Sequence, residues 1–79
     1  MAHYYTISCT TENGVGILQR LASICTRNRL NIEKLVAQEG GHGIAHVEVL
    51  FFCEQRVIDR VAYQLRKVVE VIELKVEQA

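Results

Sequence analysis

The feature that most constrains this chain is the order in which its hydrophobic period changes. The residues from Tyr4 to Thr11 alternate, with Tyr5, Ile7 and Cys9 on one side and Thr6, Ser8 and Thr10 on the other. That is the pattern of a half-buried strand. From Gly16 to Asn28 the period lengthens to that of a helix: Ile17, Leu21, Ile24 and Cys25 share one stripe, widened by Leu18 and Ala22. Asn28 tolerates the left-handed backbone and is the expected stop. "LNIEKLVAQ" predicts a second strand with Leu30 and Ile32 inward and Asn31 and Glu33 outward. The alternation fails near Lys34 and Leu35, which predicts a bulge. "EGGHG", Glu39 to Gly43, reads as a flexible joint between antiparallel strands. The third strand, "IAHVEVLFFC", puts Ala45, Val47, Val49 and Phe51 on one face. A second helix runs from Gln55 to Val68, with Val57, Ile58, Val61, Ala62, Leu65 and Val68 as its buried stripe. "EVIELKVE" closes the chain as a strand with Ile72, Leu74 and Val76 inward.

The order β-α-β-β-α-β over 79 residues makes one domain, residues 1–79. Two helices cannot cover both faces of four strands, so both pack on one face. Right-handed crossovers then give an α+β, ferredoxin-like sandwich with a four-stranded antiparallel sheet in the order 4-1-3-2. The second strand is an edge. It is long and fairly apolar, with Lys34 as its one basic deterrent, and such an edge invites pairing with a second chain. A domain this small is marginally stable alone, which favours the same outcome.

Charge and composition exclude some occupations. Nine basic and nine acidic residues sum to zero, which argues against a nucleic-acid binder or an anionic-membrane binder. No apolar run reaches the length of a membrane span, and "MAHYYTISC" lacks the shape of a signal peptide. Cys9, Cys25 and Cys53 lack metal or redox spacing and read as small core residues. Free thiols point to a reducing compartment, the cytoplasm.

Catalysis is poorly supported. The first loop, "TTENGVG", carries neither the paired cysteines of a metal chaperone nor the arginine of an acylphosphatase. The third strand lacks the basic and aromatic pattern of an RNA-recognition sheet. His3, His42 and His46 stand beside no plausible nucleophile.

One motif asks for more. In "NGVGI", Asn13 to Ile17, two glycines sit where a helix begins. A helix start offers backbone N–H groups and a partial positive charge. Gly16 would let a small ligand approach that backbone, Gly14 would supply positive φ before it, and Asn13 could cap the helix or offer its amide. The alternative is a tight, Asn-capped strand-to-helix turn.

The run "TENGVGILQRLASICTRNRLNIEKL" resembles the opening of an ACT domain, most of all that of the regulatory small subunit of acetolactate synthase. Glu12, Asn13, Gly16, Leu18, Asn31, Ile32, Glu33 and Leu35 match that family's pattern, and "AYQLRKVVEVIELK" is similar to its closing segment through Gln64, Leu65, Lys67, Val68, Glu70 and Val71. The resemblance implies a homodimer formed through strand two and helix one. It implies branched-chain amino acids (valine, leucine or isoleucine) bound at that seam. The ligand would meet Asn13, Gly14, Val15, Gly16 and Ile17 of one chain and Asn31, Leu35, Val36 and Ala37 of the other. It also implies a large catalytic subunit as partner, with Tyr4, Leu50 and Phe52 as candidates for that contact. The chain itself would need no cofactor, and thiamine diphosphate, magnesium and FAD would belong to the catalytic subunit. Two departures stand out. Val15 replaces the family's usual proline, and the chain is as short as the family's one-domain form, which is expected to activate more than to inhibit. An ACT module serving another enzyme, such as a stringent-response synthetase, is the alternative reading.

Overall fold

The computed structural model describes residues 1–12 and 14–79. Its elements are β1 (Ala2–Glu12), α1 (Gly14–Arg27), β2 (Ile32–Gly41), β3 (Ile44–Glu54), α2 (Gln55–Arg66) and β4 (Val71–Gln78). The four strands form one antiparallel sheet in the order β2-β3-β1-β4, with β2 and β4 as its edges. This is the βαββαβ sandwich that the period sequence predicts. Register fixes the faces: Tyr5, Ile7, Cys9 and Thr11 lie opposite Phe51, Val49, Val47 and Ala45. These residues point to the helix layer, where Ile17, Leu21, Ile24 and Cys25 of α1 and Ile58, Val61, Ala62 and Leu65 of α2 close the core. Phe51 is wholly buried at its centre. The opposite face stays open, with the Tyr4 ring tilted against that of Phe52 at 4.8 Å between centroids. Among the described residues no helix is long and apolar enough to cross a membrane.

Several local readings change. Helix α1 starts at Gly14, one half-turn earlier than its apolar stripe suggests, and Ala22 is exposed rather than part of that stripe. The left-handed residue at its end is Arg29 (φ 55), not Asn28. The Asn28 side-chain amide instead donates to the Ile24 carbonyl (2.8 Å) and to Gln64 Oε1 (3.0 Å), tying the two helices together. The glycine-rich joint is shorter than predicted. β2 continues to Gly41, and His42–Gly43 form a two-residue turn with positive φ at both positions, the geometry whose twist suits a hairpin. A Cβ on Gly40 would stand 2.9 Å from His46 Nε2, so a larger residue there would require that ring to move. The bulge in β2 falls between Ile32 and Lys34. β2 shifts register again between Glu39 and Gly41, and an irregularity in β4 places Glu73 opposite Thr10 and Val71 opposite Thr11, so Ile72 drops out of the ladder and is 56% exposed.

Candidate binding site

The seam between the start of α1 and the β2 edge is where the sequence places a ligand. Thr11 pins the end of β1 that feeds it. Its hydroxyl is buried and lies 3.0 Å from the Glu70 carbonyl and 2.9 Å from that of Glu12, while the Glu12 N–H donates to the same Glu70 carbonyl at 2.8 Å. Gly14 then enters α1 with helical backbone, not the positive φ expected of it. Its role is close approach, since a Cβ would meet Ala45 Cβ at 3.0 Å. The helix start therefore sits directly on β3.

This approach leaves a hollow of about 370 Å³ beside it. Val15 and Leu18 of α1 form one wall, Ala37, Gln38 and Glu39 of β2 the other, and Ala45 and Val47 the floor. The walls are mostly apolar, and Glu39 is the one charged side chain among the lining residues. The β2 wall is a sheet edge, with no strand on its outer side. Along that side Val15 (72% exposed), Ile32, Leu35 and Val36 leave large apolar side chains uncovered.

The predicted residues separate by register. Gly14, Val15 and Ala37 line the hollow together. Gly16 lies half-buried in the first turn of α1. Asn13 falls outside the described residues. The side chain of Ile17 is 1% exposed and belongs to the core, so only its backbone faces a ligand's path. Leu35 pairs with Val49 and lies on the helix side of the edge, whereas Val36 pairs with Glu48 and points to the open face. There it joins Ser8 and Glu48 around a shallow basin. Asn31 precedes β2 at its far end, roughly 20 Å along the strand from Ala37. Within one chain it cannot touch the hollow. The sequence reading missed Leu18, Gln38, Glu39, Gly43, Ile44, Ala45 and Val47 as lining, although the strand alternation already placed Ala45 and Val47 on that face.

Among the described residues no nucleophile is held by a base. His46 Nδ1 pairs with Thr10 Oγ1 at 3.2 Å on the opposite face. All three thiols are free and buried, and burial raises their pKa values, Cys25 up to about 11. Protonated thiols are poor nucleophiles.

Comparison with known proteins adds lineage to this geometry. The profile of the AHAS small subunit-like ACT domain matches residues 7–73. A protein of Methanothermobacter thermautotrophicus named "Probable acetolactate synthase small subunit" is 33% identical over 72 residues, 90% of this chain and 43% of that protein. The chain thus spans less than half the length of that relative. The acetolactate synthase small subunit of Thermotoga maritima superposes with a TM-score of 0.76 at 19% identity, covering 91% of this chain and 45% of that one. The ACT domain from the GTP pyrophosphokinase of Chlorobium tepidum does so with a TM-score of 0.81 at 18% identity, covering 98% of this chain and all of that domain. At such identities the two structures speak for the fold.

Proposed function

The chain belongs to the AHAS small subunit-like ACT domains, and from that membership we propose that it is a regulatory, non-catalytic subunit that pairs with itself along β2 and α1, reads a branched-chain amino acid at the seam, and tunes a catalytic acetolactate synthase subunit. The observation that carries the reading is the one-sided hollow at the unpaired β2 edge. An apolar strip beside an open backbone edge gains by burial and by hydrogen bonding when a second strand is added. Antiparallel pairing of two β2 strands brings the start of one, where Asn31 lies, toward the end of the other, where Glu39 lies. The partner's Asn31 then arrives beside Glu39 at the rim of the hollow. This accounts for a polar residue that no single chain can use there.

In such a site the aliphatic side chain rests on Val15, Leu18, Ala45 and Val47. The ammonium has Glu39 to meet, and the carboxylate has the start of α1. The amino acid shifts the complex only through unequal affinity for its two arrangements.

Three measurements test the reading. Light scattering on the eluting protein should give a dimer that Leu35→Asp converts to monomer. Calorimetric titration should give heat with at least one of valine, leucine and isoleucine, and silence for all three at millimolar ligand removes the sensing role. Pull-down should recover the catalytic subunit, and its absence removes the regulatory assignment to this enzyme.

A further inference from the structure

The helix layer carries a charged groove that the seam does not use. It lies between α1 and α2 and encloses about 630 Å³. Arg20 and Arg27 rim it from α1 and Lys67 from the end of α2, over a floor of Ile24 and Val68. No acidic side chain lines it. Arg60 extends the α2 rim, seven residues before Lys67, as Arg20 stands seven before Arg27; each interval is about 10 Å of helix. Among the described residues none of these four cations makes an ion pair. The two ion pairs present, from the N-terminus and Arg56, both go to Glu54. Arg60 reaches only the Asn28 side-chain oxygen, at 3.5 Å, and Lys67 Nζ sits 4.4 Å over the Tyr63 ring.

Arg27 and Lys67 close their helices and gain from the helix dipole. Arg20 and Arg60 are mid-helix and gain nothing of the kind. Facing rows of like charge cost stability. The groove is therefore better complemented by something acidic than by water. Its apolar floor, with Val69 almost fully exposed on the turn that follows, suits an amphipathic protein segment better than a nucleic acid strand.

We propose that the groove between α1 and α2 docks an acidic, amphipathic segment of the enzyme this chain regulates. The inference rests on the regulatory reading but not on amino-acid binding or on the β2 pairing. Carboxylates of the segment face Arg20, Arg27, Arg60 and Lys67, and an apolar side chain rests on Ile24 and Val68. The test measures binding of the full chain to immobilised catalytic acetolactate synthase subunit. Arg20→Glu with Lys67→Glu should weaken binding about tenfold or more. Arg20→Lys with Lys67→Arg should leave it within about twofold, and wild-type affinity should fall as salt rises. Phe52→Asp tests the rival contact on the open face that the sequence suggested, and docking in the groove should leave its binding within about twofold of wild type. Unchanged binding of the charge-reversed pair, or loss confined to Phe52→Asp, overturns the inference and leaves the regulatory reading standing. Displacement of the subunit by a single-stranded DNA oligonucleotide that fails to bind the reversed pair also overturns it, by making the groove a polyanion site. Failure of the wild type to bind removes both.

Discussion

Two residues show how side-chain size and ionisation set limits around the seam. Gly14 lies where an alanine would ordinarily help, by up to about 1 kcal/mol in a helix interior. Here the added Cβ would meet Ala45 at 3.0 Å. Ala45 cannot retreat, because β3 is paired on both sides, to Thr11 and to Glu39. Gly14→Ala should therefore destabilise by about 1 kcal/mol. The combination with Ala45→Gly should recover part of that loss, and denaturant midpoints of the two single variants and the double variant measure the coupling. Cys25 gives a pH dependence. Its thiol ionises at about 11 when folded, against an ordinary value of 9.0. Below pH 9 both states hold the proton and the contribution is intact. As pH rises from 9 toward 11 the unfolded chain loses the proton first, so stability should fall by up to about 1.4 kcal/mol per pH unit. Midpoints across that window should slope less in Cys25→Ala than in the native chain.

At the level of elements, the strands show which parts of the sequence speak for themselves. β1 and β3 are central, covered on one face and open on the other, so strict alternation is both necessary and visible; every residue assigned inward on them is inward. The edges obey other rules. β2 has no neighbour on one side and is exposed along its whole length, so its apolar residues reflect what could be added beside it rather than what it covers. Its bulge is legible as a broken alternation; the one in β4 is not, because "VIELKV" reads as unbroken. There the Glu12–Glu70 backbone bond and the Thr11 hydroxyl fix the chain at Glu70, and Val71 instead of Ile72 takes the inward place opposite Thr11. The site was half legible for a related reason. Local motifs indicated the helix start, but the lining from β2 and β3 depends on register, which long-range pairing sets. The β4 register has a direct consequence for stability. Ile72→Thr should change the unfolding free energy from denaturant titration by less than about 0.5 kcal/mol, whereas Leu74→Ala, two residues on and packed against the core, should cost about 2 kcal/mol. Equal effects at the two positions would mean that the alternation continues through Ile72.

For the whole molecule, zero net charge conceals a strong division. The helices and the turns that end them carry Arg20, Arg27, Arg29, Arg56, Arg60, Arg66 and Lys67 against Asp59 and Glu70. The strands carry Glu12, Glu33, Glu39, Glu48, Glu54, Glu73 and Glu77 against Lys34 and Lys75. The chain is a plate, 17 Å across its shortest axis, with one basic and one acidic side. A net-charge argument against anionic partners therefore holds at distances beyond a Debye length and not at contact. In the proposed pair the symmetry axis stands perpendicular to the sheet, so both helix layers face the same way and their fields add instead of cancelling. A neutral protein with evenly mixed charge should pass through ion-exchange resins of either sign at neutral pH and low salt. This one should be retained by both: by sulfonate through the helix layer, by quaternary amine through the strands. Reversing Arg20 and Arg27 to Glu should abolish retention on sulfonate and lengthen it on the amine resin. If the native chain flows through sulfonate unretained, the basic side is neutralised in solution, and the groove between the helices loses the charge on which its choice of partner depends.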